Sequence, residues 1–108
     1  MLSCEIINSP SPGTISILKR KVIDKEIRTI IEETRVASVG LIQGQLAQII
    51  VASDIAAKGA DVHVSEISGS CPQHITMIAL FGSTSAVRTA MNMVKDKISC
   101  KSGMKASA

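Results

Sequence analysis

Six consecutive residues, Gly69-Ser70-Cys71-Pro72-Gln73-His74, hold most of the chemistry this 108-residue chain can offer. Gly69 and Ser70 let the backbone approach a neighbour or a ligand closely, and Pro72 stiffens the turn after the cysteine while removing one amide donor. A thiol on a stiff tip is a candidate soft-metal ligand, and His74 follows it at a spacing also found in metal-binding loops. One Cys and one His do not complete a tetrahedral site, so a metal here needs ligands from other chains. The same residues also fit an ordinary exposed or half-buried thiol. Symmetry widens the options: copies of the loop around one axis each bring a Cys71 to the same small volume. Iron–sulfur clusters are held mainly by cysteine thiolates, usually four.

The remaining candidates are weaker. His63 lies mid-strand between Val62 and Val64, which is the setting of a surface or packing histidine rather than a base. Asp54 is a single polar residue on a helix and Asp61 opens a strand, with no nucleophile placed near either, so general acid–base catalysis has no support. The glycines at 40, 44, 59, 69 and 82 do not have a phosphate-loop spacing. Gly82-Ser83-Thr84-Ser85 fits a helix N-cap better than an anion cradle. The five methionines read as core filler.

The elements that must position the loop follow from periodicity. Val36–Ile42 reads as an apolar strand, Leu46–Lys58 as a helix, Val62–Glu66 and Ile75–Phe81 as strands on either side of the loop, and Ser83–Ile98 as a helix. The last carries Val87, Ala90, Met91, Val94 and Ile98 on one face behind a Ser83 cap. In Leu46–Lys58 the stripe Leu46/Ile49/Ile50/Ala57 lies beside a second, Ala47/Val51/Ile55, so the helix predicts contacts on two sides. Residues 1–35 form a preface. Asn8 to Gly13 reads as turn chemistry with Gly13 free to adopt positive φ, Thr14–Leu18 as a β-branched strand, and Lys25–Glu33 as a short helix capped by Asp24. The fold class expected is α/β (α+β), a ferredoxin-like strand–helix–strand–strand–helix layer.

Composition narrows the function. Hydrophobic residues make up 45% of the chain and Phe81 is its one aromatic, so a lone small domain leaves apolar surface for other subunits. No apolar run approaches the roughly 18 residues of a membrane span, and the N-terminus lacks the pattern of a secretory signal. Cys4, Cys71 and Cys100 form no paired framework, which favours a reducing cytoplasm. The mild charge of +3 gathers at Lys95, Lys97, Lys101 and Lys105, a solvated helix end and frayed tail. Without interleaved aromatics there is no platform for single-stranded nucleic acid.

The ordered set Val39-Gly40-Leu41-Ile42, Ala52 to Val62, Gly69-Ser70 and Thr76 to Val87 resembles the bacterial microcompartment (BMC) shell-protein domain. Ile6-Ile7, Pro12-Gly13 and Leu18, with a strand and a helix ahead of the main unit, resemble the start of the circularly permuted shell proteins of ethanolamine and propanediol utilisation compartments. The Cys-Pro-Gln turn resembles the variant found in glycyl-radical-type compartments. On this resemblance residues 1–13 are an N-terminal strand and turn extension, 14–98 the permuted domain and 99–108 a flexible tail.

The resemblance implies a homohexamer with a central pore, tiling with other shell proteins around enzymes of a glycyl-radical-type pathway. Neither nucleic acid nor membrane is an expected partner. Gly69, Ser70, Cys71, Pro72 and Gln73 then match the pore loop, and Lys58 the lysine that packs against the next hexamer. An iron–sulfur cluster ([4Fe–4S]), shared between subunits through Cys71, is implied at the six-fold axis. The N-terminal strand of permuted relatives builds a small barrel over the pore, for which this chain offers only Cys4–Asn8. A non-enzymatic shell component follows. The alternative is a ferredoxin-like binding or regulatory domain that dimerises.

Overall fold

The computed structural model describes residues 2–33, 36–67, 75–98 and 100–102. Its elements run β1 (Leu2–Asn8), α1 (Pro12–Lys21), α2 (Lys25–Glu33), β2 (Ser38–Gln45), α3 (Leu46–Gly59), β3 (His63–Ile67), β4 (Ile75–Gly82), α4 (Thr84–Lys97) and β5 (Cys100–Ser102). The strands lie in the order β3-β4-β2-β1-β5, four of them antiparallel, with short β5 parallel to β1 at the edge. Helices cover both faces. Ile49, Ala52 and Ala56 of α3 and Val87, Ala90, Met91 and Val94 of α4 pack with Leu2, Cys4, Ile42, Ile78 and Leu80 on one side. Leu18, Val22, Ile27 and Ile31 meet Val39, Ala79 and Phe81 on the other. The alternation of inward residues along β4 follows the pleat of a strand buried on both faces.

Small residues set the close packing on the first side. A Cβ on Gly40 would stand 2.9 Å from the Met91 sulfur and 3.2 Å from Val87 Cγ1, so α4 rests directly on the backbone of β2. Ala52, Ala56 and Ala90 are fully buried.

The preface differs from its sequence reading. Thr14–Leu18 is helical, inside α1, and the N-terminal strand is instead Leu2–Asn8. Ser11 caps α1, accepting from the Thr14 amide at 3.2 Å, with Pro12 in the first turn and Lys19, Arg20 and Lys21 in the last. Buried Leu18 and Val22 with half-buried Ile15 form the inward stripe, which outweighs the strand preference of the isoleucines. No described glycine has positive φ; the left-handed residue of the turn is Ser9, at φ 51°.

The boundary placed at residue 13 moves for the same reason. β1 is an inner strand, paired with β2 from Ser3↔Gln43 to Asn8↔Ser38 and flanked on its other edge by β5, so it belongs to the domain. Past residue 98, Cys100–Ser102 also join the sheet, while 103–108 lie outside the described residues.

Buried Ser38 ties three elements together. Its hydroxyl donates to Asn8 Oδ1 at 2.8 Å, and because it has one hydrogen, the 2.9 Å contact with Thr84 must be donated by the Thr84 hydroxyl. The pair joins the end of β1, the start of β2 and the first turn of α4. Ser38→Ala would remove both bonds, while water can reach the exposed Asn8 and Thr84 groups; we expect a loss of about 0.5–1.5 kcal/mol of unfolding free energy, measured by urea denaturation, and no change in helix content.

Candidate functional site

The β3–β4 hairpin carries the loop singled out in the sequence. Ile67 pairs with Met77 at its closed end, and residues 68–74 between the two strands, which include Gly69, Ser70, Cys71, Pro72, Gln73 and His74, lie outside the described residues. The surroundings of the loop are described. Gln45, at the end of β2, pairs with Ile75, so α3 begins beside one root of the loop. Val22 bridges Ile67 at the other root, the Ile23 amide donates to the Glu66 carbonyl at 3.3 Å, and Arg28 Nη2 donates to the Val22 carbonyl at 2.7 Å. The strand ends that flank these residues are thus held by both helical layers.

Next to this end runs a groove of about 370 Å³, floored by Ile49, Val64 and Ile78 and bordered by Leu46, Ile50 and Glu66. Leu46 and Ile50 are 54% and 59% exposed, and Val51 on the same helix is 50% exposed. Among the described residues, the two-sided apolar character of α3 is therefore met on one side only. A larger groove of about 810 Å³ lies between α1 and α2 with Pro10, Pro12, Ile15, Ile31 and Val36 along it and the Lys19–Glu32 ion pair (3.8 Å) at its rim. The sequence reading gave no sign of it, because it depends on α1 being a helix.

Lys58 lies at the far end of the sheet from the loop. It is in the last turn of α3, and the chain following that helix packs its Asp61 carbonyl against Gly82, the last residue of β4. Loop root and Lys58 end are separated by the length of β4, eight residues or about 23 Å at the rise of a strand. Lys58 Nζ is 2.9 Å from Asp54 Oδ2 at i,i+4, with both side chains largely in water. Asp54 therefore serves as a helix-surface ion-pair partner.

The other candidates are structural. His63 is exposed at the start of β3, opposite Phe81. Ser83 caps α4, accepting from the Ala86 amide at 3.1 Å, as its N-cap reading requires. Asp24 accepts from the Glu26 amide at 2.8 Å and heads α2. Among the described residues no three His, Cys, Asp or Glu side chains gather as a metal site, and no helix is long and apolar enough to cross a membrane.

Comparison with known proteins agrees with this geometry. Residues 38–107 match the BMC domain. The chain is similar to the GrpU microcompartment shell protein from Pectobacterium wasabiae, solved ligand-free, at 35% identity over 86% of this chain and 99% of that one (TM-score 0.65). It is also similar to the GrpU microcompartment shell protein from Clostridiales bacterium 1_7_47FAA, at 32% identity over 87% and 88% of the two chains (TM-score 0.62). The fused permuted hexameric shell protein MSM0275 from the RMM microcompartment shares the fold, with 19% identity over 92% of this chain and 46% of that one (TM-score 0.69). No curated protein matches the chain.

An exposed i,i+4 pair contributes only about 0.3–0.5 kcal/mol. Lys58→Ala should therefore leave the thermal midpoint of the folded chain nearly unchanged, so that any effect on assembly reads contact between copies and not folding.

Proposed function

The chain belongs to the BMC-domain family of microcompartment shell proteins, and from that premise we propose that it is a tile that closes into a hexamer around a pore lined by residues 68–74. Its role is structural, and its place is in the shell of a microcompartment inside the bacterial cytoplasm, beside other shell proteins and around enzymes of a glycyl-radical-type pathway. The observation that carries the reading is the agreement of the family match with the polarity of the sheet. The loop is at one end and Lys58 at the other, as a tile with an axial and a rim end requires. Apolar surface supports it further. Leu46 and Ile50 stand beside the loop root, so loops gathered on an axis would carry these side chains into the gap between adjacent copies. In a ring every contact is heterologous and closes on itself.

Within the same proposal Gly69, Ser70, Cys71, Pro72 and Gln73 line the opening, and Lys58 works at the rim against the next hexamer. Cys71 is the one thiol in the loop, so a [4Fe–4S] cluster fits only as a group shared by several copies, each giving one thiolate. Six thiolates and four ligand positions differ in symmetry, which leads to partial occupancy. When bound, the cluster would supply one-electron chemistry across the shell or close the pore.

Mass in solution and electron microscopy test the tile. Wild-type protein should form six-membered rings that grow into sheets, and monomers or two-fold dimers at every salt concentration would overturn the reading. Leu46→Lys with Ile50→Lys should break the ring, whereas Lys58→Ala should keep rings and lose sheets. After anaerobic purification, Cys71→Ser should abolish bound iron and the visible absorbance of a cluster. Iron content equal to wild type would remove Cys71 as the ligand.

A further inference from the structure

We infer that the α3–β3 groove of one tile receives the outer flank of α4 from the next copy, with Lys95 of that copy paired to Glu66 at the groove. The inference rests on the ring proposed above and names the second of its two lateral surfaces. A closed ring needs two different surfaces on every copy. With the β3–β4 end of the sheet at the axis and Lys58 at the rim, the strands run outward from the axis, and the two sides of the sheet are the sides that meet. α3 lies over β3, β4 and β2, and α4 over β4, β2 and β1, so the α3 side of one copy faces the α4 side of the next. The α3 side carries the groove, with exposed Leu46 and Ile50 on the helix and exposed Glu66 on β3.

The contacts of α4 identify its free flank. Val87, Ala90, Met91 and Val94 pack into the core. A Cβ on Gly59 would collide with Met93, which marks the side of α4 toward α3. Thr84 bonds the Ser38 hydroxyl that also holds Asn8 of β1, which marks the side toward β1. Arg88 and Lys95 follow Thr84 on that same flank at i+4 and i+11. Arg88 is exposed and Lys95 half-buried, and neither of them nor Glu66 forms an ion pair among the described residues. The flank is therefore cationic where the groove is anionic. The sheet register selects the pair. Glu66 stands in one row with Ile78, Ile42 and Cys4, and Val64 in another with Leu80, Gly40 and Ile6. α4 runs back toward the β3–β4 end and crosses the Gly40 row where Val87 and Met91 meet that glycine. The Glu66 row lies two residues nearer that end, about 6.6 Å along a strand, a distance the helix covers in about four residues. Lys95, four positions past Met91, thus comes to the same distance from the axis as Glu66. Its stem can lie over Leu46 and Ile50 while its charge meets the carboxylate.

Sedimentation of the full chain over a range of concentrations tests the pair by charge reversal. Glu66→Lys and Lys95→Glu each set like charges against one another, and each should raise the concentration at which half the chains are in rings by about tenfold or more. The double variant restores opposite charges and should return to within about threefold of wild type. Single variants that assemble like wild type, or a double variant that assembles no better than either single one, overturn the inference and leave the ring standing. Wild-type protein that forms no ring overturns the tile reading and this inference with it. Should a reversal unfold the chain, carbodiimide coupling of wild-type rings decides. An amide joining Glu66 of one copy to Lys95 of another, identified by mass spectrometry, supports the pair, and rings coupled only elsewhere overturn it.

Discussion

The ladder between β1 and β2 is the constraint on which the rest of this fold depends. It joins the first strand of the chain to one some thirty residues later, and its register, ending at Asn8↔Ser38, fixes where α1 and α2 cross the sheet. A one-residue slip would turn Leu2 and Cys4 away from the α3–α4 core and break the Asn8–Ser38–Thr84 hydrogen bonds together. Loop-closure entropy opposes such a long connection only weakly. The helical preface between the two strands also offsets that cost by burying Leu18, Val22, Ile27 and Ile31 on the second face. A strand supplied from the N-terminal side of the matched region can therefore sit inside the sheet.

The ladder also gives the sheet a direction. Antiparallel pairing of β4 with both β2 and β3 puts the β3–β4 turn at one end and the Ser38–Gly82 pair at the other. Everything specific to the loop, including the α3 start and the Val22 bridge, gathers at the first end, and the end of α3 with Lys58 at the second. The two ends of the sheet are therefore built from different residues. The long stem of a lysine such as Lys58 can cover apolar surface while its charge remains in water. The Asp54 partner holds that stem along the helix without a large stake in folding.

Much of this was legible in the sequence, and the exceptions have definite causes. The spans of α2, α3 and α4 fall within a residue or two of their periodic patterns because each has an amphipathic stripe and, for α2 and α4, a side-chain cap at Asp24 or Ser83. α1 was missed because Pro12-Gly13 reads as a turn and Thr14–Leu18 as β-branched. Ser11-Pro12 is equally an N-cap followed by a first-turn proline, and three basic residues close the helix. β1 was read as an extension because nothing in seven residues tells an inner strand from an appendage; the ladder to β2 is a long-range fact. The Cys71 loop is conspicuous by residue type, and residues 68–74 lie outside the described residues.

The exposed apolar surface of the chain is concentrated in α3. Its inward residues are small, Ala52 and Ala56, and let α4 approach, so the helix spends little of its apolar content on its own core. Leu46, Ile50 and Val51 remain at half exposure or more, although each would fit an interior position as well as Ile49 does. Scattered apolar residues on a surface need no explanation. A cluster on the first turns of one helix, bordering a groove and standing beside the end of the sheet where β3 leads to β4, is a different case. The helix is apolar toward its own sheet and carries apolar residues on its outer side as well, which is the pattern of an element that packs on two sides.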